Sequence, residues 1–253
     1  MKVKHKKTPQ GFFSSIFVLL FLLLFLVYYF IPLFQKETST VLLTIATFLF
    51  SIFAGFFISR QNTRHTEIRD ELSRFDGGVT SLYRNFSFLG SEAEEKAKKI
   101  ILDHYNSFLN DPELNTLMFN KKVHFLHPLY QLLQSATEHL TFSGLHTEAV
   151  RRIGAALYNL QILRKRIIVL YEEKIPLSQW VLLYVLAIIL LGTLSVVIDS
   201  HLVLFAAILK AAFASSILFI IILLHRLTVL SFYERVVGSR SARDVVDVIE
   251  GRR

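Results

Sequence analysis

Cysteine is absent from the 253 residues. Disulfides, thiol catalysis and cysteine metal sites are therefore excluded. The chain also lacks a P-loop, a Gly-rich dinucleotide turn, a nucleophile elbow and the paired histidines of metalloproteases. No internal repeat and no low-complexity linker is found. The basic runs Lys98-Lys99 and Lys121-Lys122 have none of the aromatic interleaving of nucleic-acid readers. No nucleic-acid partner is expected, and these runs read as solvated faces. His124 and His127 stand three apart, with His139 and His146 further on. A metal would need a third ligand and an enforced geometry, so no metal and no cofactor is expected. An enzyme is the least supported class. A deep polar pocket with converging ionisable groups would be needed to raise it.

What the chain has in abundance is apolar sequence. The hydrophobic share is 53% and the formal charge is +8, with a mean hydropathy of +0.46. A soluble domain of this length would not need so much apolar content, whereas a membrane protein would. The opening MKVKHKKTPQ and the run FFSSIFVLLFLLLFLVYYF resemble a signal peptide at first sight. The run is too long for an h-region and no small-residue cleavage site follows, so it reads as an uncleaved span.

Four spans are expected: about Phe12 to Phe34, Val41 to Ser59, Leu177 to Ile198, and Leu202 to Leu224. Each is near the ~20 residues that a hydrocarbon core needs. QKETST and Asp199-Ser200-His201 are short links that allow only tight hairpins. The expected organisation is a basic cytosolic N-terminus (1–11), a first hairpin (12–59), a cytosolic helical domain (60–176), a second hairpin (177–225) and cytosolic amphipathic C-terminal helices (226–253). Lys2, Lys4, Lys6, Lys7, Arg60, Arg64, Lys174 and Arg226 flank the spans on one side, while Lys36 alone lies near the other. The positive-inside rule then puts both termini in the cytoplasm of a multi-pass protein of the cell (inner) membrane.

The second span passes without a proline into RQNTRHTEIRDELSRF, so one continuous helix should leave the bilayer for water. Ile68, Leu72, Phe75, Val79, Leu82 and Phe86 fall at alternating steps of four and three, a helix-packing seam. Asp70 and Arg74 can pair one turn apart. Gly77-Gly78 is expected to interrupt or weaken the helix, and Gly90 to end it. Ser91 with Glu94 forms a capping-box pattern opening a helix to about Asn110, with Ala97, Ile101, His104 and Phe108 on its inner face. Pro128 suits the first turn of a helix that ends near Gly144. A last helix is expected from about Thr147 to Lys174, with its seam on Val150, Ile153, Leu157, Leu160, Arg164, Ile167 and Tyr171. An amphipathic extension through Val237 should end at Gly238, and Ser241 with Asp244 should open a final short helix.

Three groups of residues carry the functional readings. The phenylalanines of the second span form two stripes, Phe48–Ile52–Phe56 and Leu49–Phe53–Phe57, and either could be a hydrophobic constriction or ordinary lipid-facing and packing residues. Lys210 lies about eight residues into the fourth span, ~12 Å below the outer boundary at 1.5 Å per residue. A lysine there costs ~2.5–3.5 kcal/mol. It either faces an aqueous path and attracts anions, or snorkels outward or pairs with Asp199. Arg164 stands where the seam expects an apolar side chain. It either meets a carboxylate (Glu67, Glu71 or Asp103), as a structural buried charge, or stays hydrated.

Two segments carry a resemblance. SEAEEKAKKIILDHYNSFLNDPEL is a helix ending in an aromatic and an acidic turn, and RKRIIVLYEEKIPLSQWVLL joins a basic cluster, a short helical spacer, a proline and a tryptophan entering a span. With two membrane hairpins around a helical insert and a short terminal helix, the chain resembles the bestrophin-like domain-of-unknown-function family of bacterial and plant membrane proteins. Arg164, Arg166, Pro176 and Trp180 are the positions carried over; the tryptophan that usually follows the family's tyrosine helix is missing. The resemblance implies distant similarity to bestrophins, which are pentameric anion channels with the second span lining the pore. No counterpart of their calcium-binding acidic cluster occurs here. The expectation is an all-α integral membrane protein with four transmembrane helices in two hairpins and a cytosolic helical bundle between them. On one reading it is a homo-oligomeric channel for small anions (a pentamer on the bestrophin analogy), with the phenylalanines of the second span as its neck, Arg60 and Arg64 as basic rings, and Lys210 supporting the path. On the other it is a non-conducting scaffold or signalling adaptor whose bundle binds a partner.

Overall fold

The computed structural model describes residues 22–23, 25–26, 40–110, 125–138, 144–197, 203–228 and 237–252. Every regular element among them is helical: α1 Thr40–Phe86, a 3-10 turn Ser87–Leu89, α2 Ser91–Asn110, α3 Leu126–Glu138, α4 Gly144–Glu172, α5 Leu177–Val197, α6 Val203–Thr228 and α7 Val237–Ile249. Three long helical stretches, including those that begin α1 and hold α5 and α6, are apolar enough to cross a membrane. The expected first span, apart from four helical residues, lies outside the described residues, as do both hairpin links. The chain divides into an apolar unit (Met1–Gln61 and Ile175–Val229) and a polar unit (Asn62–Lys174 and Leu230–Arg253).

In the apolar unit, Ala46, Phe50, Ala54 and Phe57 of α1 cluster with Leu183, Leu186, Ala187 and Leu190 of α5 and with Ile217 and Leu224 of α6. Alanines at the helix contacts let backbones approach closely, which is how helices associate in lipid. The hydroxyls of Thr193, Ser195, Ser215 and Ser216 donate back to carbonyls three or four residues earlier, so these four groups need no water there. The carbonyl of Pro176 accepts the amides of Gln179 and Trp180 and opens α5. Trp180 stacks on Tyr184 at 5.7 Å and meets His225 edge-on at 5.8 Å.

The polar unit is built on the seam of α1. Ile68, Leu72, Phe75, Val79, Leu82 and Phe86 are all buried, and so are Ile153, Leu157, Leu160 and Ile167 of α4. Gly77-Gly78 does not interrupt α1, a helix of 47 residues. A Cβ on Gly78 would lie 2.9 Å from Cδ2 of buried Leu160, so the missing side chain makes room for α4. Close packing repays what glycine costs in helix propensity. Gly90 takes φ +111°, the conformation that favours glycine, and separates the 3-10 turn from α2. Glu92 and Glu94 sit in the first turn of α2, where carboxylates favour the positive end of the helix.

Four sequence expectations need correction. Gly144 opens α4 instead of closing the helix of Pro128, which ends at Glu138. Gly238 lies inside α7, which begins at Val237, so Ser241 is not its first residue. Ser241 gives its hydroxyl to Asp76. Arg74 reaches Glu71 at 3.7 Å and not Asp70, because Glu71 lies toward the packed face where Arg166 also meets it at 3.1 Å.

Candidate functional site

The apolar half of α1 presents two unlike faces. Phe57 is 3% exposed and belongs to the packed cluster, and Phe53 is half-buried against it. The rings of Phe53 and Phe57 stack at 6.3 Å, and Phe56 meets Phe57 edge-on at 5.7 Å. The other face carries Phe48, 64% exposed, Ile52 and Phe56, with Val41, Ile45 and Leu49 beside them. Steps of three and four keep these residues on one side of the helix. Arg60 continues the series 48, 52, 56 and is exposed. Phe53 and Phe57 thus pack inside the protein, whereas Leu49 of their stripe and the whole Phe48–Ile52–Phe56 stripe face outward.

Arg64 lies on the packed side. It is 3% exposed. Its Nε donates to the carbonyl of Leu170 at 2.7 Å and its second terminal nitrogen to that of Tyr171 at 2.9 Å. These are last-turn carbonyls of α4, which have no partner within the helix. A cation there also meets the negative end of the helix dipole. Burial pulls the guanidinium pKa down, while Glu173 and Tyr171 push it up.

Lys210 repeats the arrangement in the apolar unit. It is 8% exposed, and its Nζ donates to the carbonyl of Ser195 in the last turn of α5 at 3.2 Å. Each of these buried cations completes the C-terminal end of a neighbouring helix. Asp199, the partner considered from sequence, lies outside the described residues.

Arg164 is half-buried, and burial lowers its pKa. Of the carboxylates considered for it, Glu71 is held by Arg166 and Arg74. Oε1 of Glu71 takes both contacts, and buried Oε2 has no hydrogen-bond partner among the described residues.

A polar cluster that sequence reading missed lies where α1, α2 and α7 meet. Asp76 is buried, and its Oδ1 accepts the hydroxyl of Tyr105 at 2.6 Å. Ser241 donates to the same carboxylate, and Asp244 is close enough to repel it. Burial raises the pKa of Asp76 against the two hydroxyl donors. Tyr105 is pushed up by burial and then by Asp76. His104 lies 4.1 Å from the ring of Phe125, centroid to centroid, with its Nδ1 buried and unpartnered among the described residues. Burial drops its pKa to about 4. The signal for this cluster was the four-residue spacing Ala93, Ala97, Ile101, Tyr105, which brings a tyrosine hydroxyl to the inner face of α2. Among the described residues no group of three metal-ligating side chains occurs.

Comparison with known proteins gives one match. The model of the Bestrophin-like domain matches residues 11–229. Searches of curated proteins and of solved structures found no match. The matched region takes in α1 to α6, including the outward phenylalanine stripe and both helix-capping cations. With its apolar, membrane-length helices and this match over most of its length, the chain is a membrane protein of the bestrophin-like family.

Proposed function

We propose that the protein is a homo-oligomeric channel for small anions in the cell membrane, with α1 facing the axis and both termini in the cytoplasm. One observation carries this reading. The Phe48–Ile52–Phe56 stripe is turned away from the packed cluster and runs, one turn on, to exposed Arg60. A ring of such helices would make an apolar neck that gates by dewetting, with basic side chains at its cytoplasmic mouth to concentrate anions. Arg60 is the mouth residue. The contacts of Arg64 and Lys210 give them another task, holding helix ends, so the path draws its positive charge chiefly from Arg60. Nothing in this arrangement calls for a cofactor or an enzymatic step.

The test is flux in liposomes. Chloride or iodide release should depend on the protein, and Phe56→Ala, which widens the neck, should raise it. Folded protein that passes neither ion overturns the reading.

A second reading, a non-conducting scaffold whose helical bundle binds a partner, is favoured by the structural use of Arg64 and Lys210. It expects a monomer or dimer in mild detergent. A ring of several copies would favour the channel.

A further inference from the structure

Two arginines from different helices converge on the buried carboxylate of Glu71, whose side chain is 6% exposed. Nη1 of Arg166 on α4 lies 3.1 Å from its Oε1, and Nη1 of Arg74 on α1 lies 3.7 Å from the same atom. The two nitrogens are therefore within about 7 Å of each other. Both arginines face water, Arg166 at 64% exposure and Arg74 at 67%. Glu67 and Asp70, exposed carboxylates of α1, touch neither of them among the described residues.

This arrangement differs from an ordinary surface ion pair in two respects. An arginine commonly meets a carboxylate fork to fork, through two parallel N–H bonds. Here one oxygen serves two guanidiniums, each through one terminal nitrogen, so most donors of both forks stay open. One positive charge is also left over. The second respect is rigidity. On one side of Glu71, Arg64 holds the carbonyls of Leu170 and Tyr171, and on the other Gly78 makes room for Leu160. α1 and α4 are thus pinned together above and below the pair, and a buried charge holds both guanidiniums from behind. Donors fixed in this way lose little freedom when a ligand arrives.

We propose that Arg74 and Arg166 form a clamp for a phosphate-type oxyanion, which bridges α1 and α4. With charge-assisted bonds of about 2.8 Å on either side, one tetrahedral oxyanion spans the gap between them. Planar forks match the paired oxygens of a phosphate, and chloride has no such pair. The phosphate can belong to a soluble molecule or to a lipid headgroup, since the recognised group is the same. The clamp uses neither Arg60 nor the outward phenylalanine stripe, so it stands whether or not the protein conducts.

Titration calorimetry of the full-length protein in zwitterionic micelles tests the clamp. Inorganic phosphate should bind saturably at constant ionic strength, and sodium chloride should not. Arg74→Gln and Arg166→Gln should each weaken binding by about tenfold or more. Arg166→Lys, which keeps the charge and loses the fork, should fall between wild type and Arg166→Gln. Arg69→Gln removes the same charge from an exposed position on α1 and should change affinity by less than about twofold. Phosphatidic acid in mixed micelles, with phosphatidylcholine as its control, tests the headgroup source. Binding of phosphate, or of phosphatidic acid alone, that is lost in the two Gln variants supports the clamp and identifies the source. The proposal is wrong if neither binds, if binding survives both Gln substitutions, or if Arg69→Gln weakens it equally. Should Arg166→Gln not fold, Arg74→Gln decides: a tenfold loss supports the clamp and unchanged affinity overturns it.

Discussion

Nε of Arg64 lies 2.7 Å from the carbonyl oxygen of Leu170, which is 106 residues further along the chain. A single guanidinium thereby joins α1 to the end of α4. Its planar fork holds two N–H donors in a fixed geometry that matches two successive carbonyls, which a lysine's compact ammonium does not offer. Arg64→Ala takes the Arg64 donor from both carbonyls, that of Leu170 in a buried bond, and it is expected to cost about 2–4 kcal/mol. Arg64→Lys should recover only part of that. Denaturant unfolding in micelles measures both, and equal stability of wild type and Arg64→Ala would refute the capping role.

Adjacent glycines in α1 should respond in opposite ways. A Cβ on Gly77 meets nothing within 4 Å, whereas one on Gly78 meets Leu160. Gly77→Ala is expected to stabilise by about 0.5–1 kcal/mol through helix propensity alone. Gly78→Val should destabilise by about 1–3 kcal/mol, because Leu160 is fully packed and must shift. Melting temperatures of the two variants, read side by side, check the contrast.

Acid should weaken the polar unit through His104. Its pKa is about 4 in the folded protein against an ordinary 6.5. Between those values the unfolded chain binds the proton and the folded chain does not, so stability falls as pH drops from 6.5 toward 4. A shift of this size corresponds to about 3 kcal/mol over the whole window. His104→Phe should flatten that part of the stability profile. A profile equally steep in the variant would assign the loss to other groups.

The two phenylalanines of α1 that touch each other should separate packing from conduction. Phe57 is buried in the apolar cluster, and Phe56 is 58% exposed. Phe57→Ala opens a cavity and should cost about 3 kcal/mol. Phe56→Ala should leave stability nearly unchanged and, on the channel reading, alter anion flux. Thermal unfolding in detergent, paired with liposome flux on the same preparations, reads both effects.

Much of this was legible in the residues. The seam of α1 was written in its three- and four-residue steps, because packing against another helix demands that period. The matching seam of α4 was equally plain. What could not be read was where a polar side chain finds its partner. For Arg64 and Lys210 a sequence gives the depth of the charge but not the carbonyls of Leu170, Tyr171 and Ser195 that receive it. Gly77-Gly78 looked like a break, because the cost of glycine is local while its benefit at Gly78 comes from Leu160, far away in the chain. Ser241 with Asp244 looked like the opening of a short helix, yet the hydroxyl serves Asp76 on another helix. Which phenylalanine stripe packs was likewise decided by α5 and α6 and not by the spacing in α1.

The bond from Lys210 to Ser195 bears on how the protein is made. Alone in a bilayer, α6 would present an ammonium to hydrocarbon, at a cost of ~2.5–3.5 kcal/mol on insertion scales. With α5 already in place, that ammonium has a carbonyl waiting for it. The pair is then a lower-energy unit in the membrane than the two helices apart, because α5 relieves α6 of part of that cost. In a cell-free insertion assay, α6 should integrate more efficiently behind α5 than alone, and Lys210→Leu should narrow the difference.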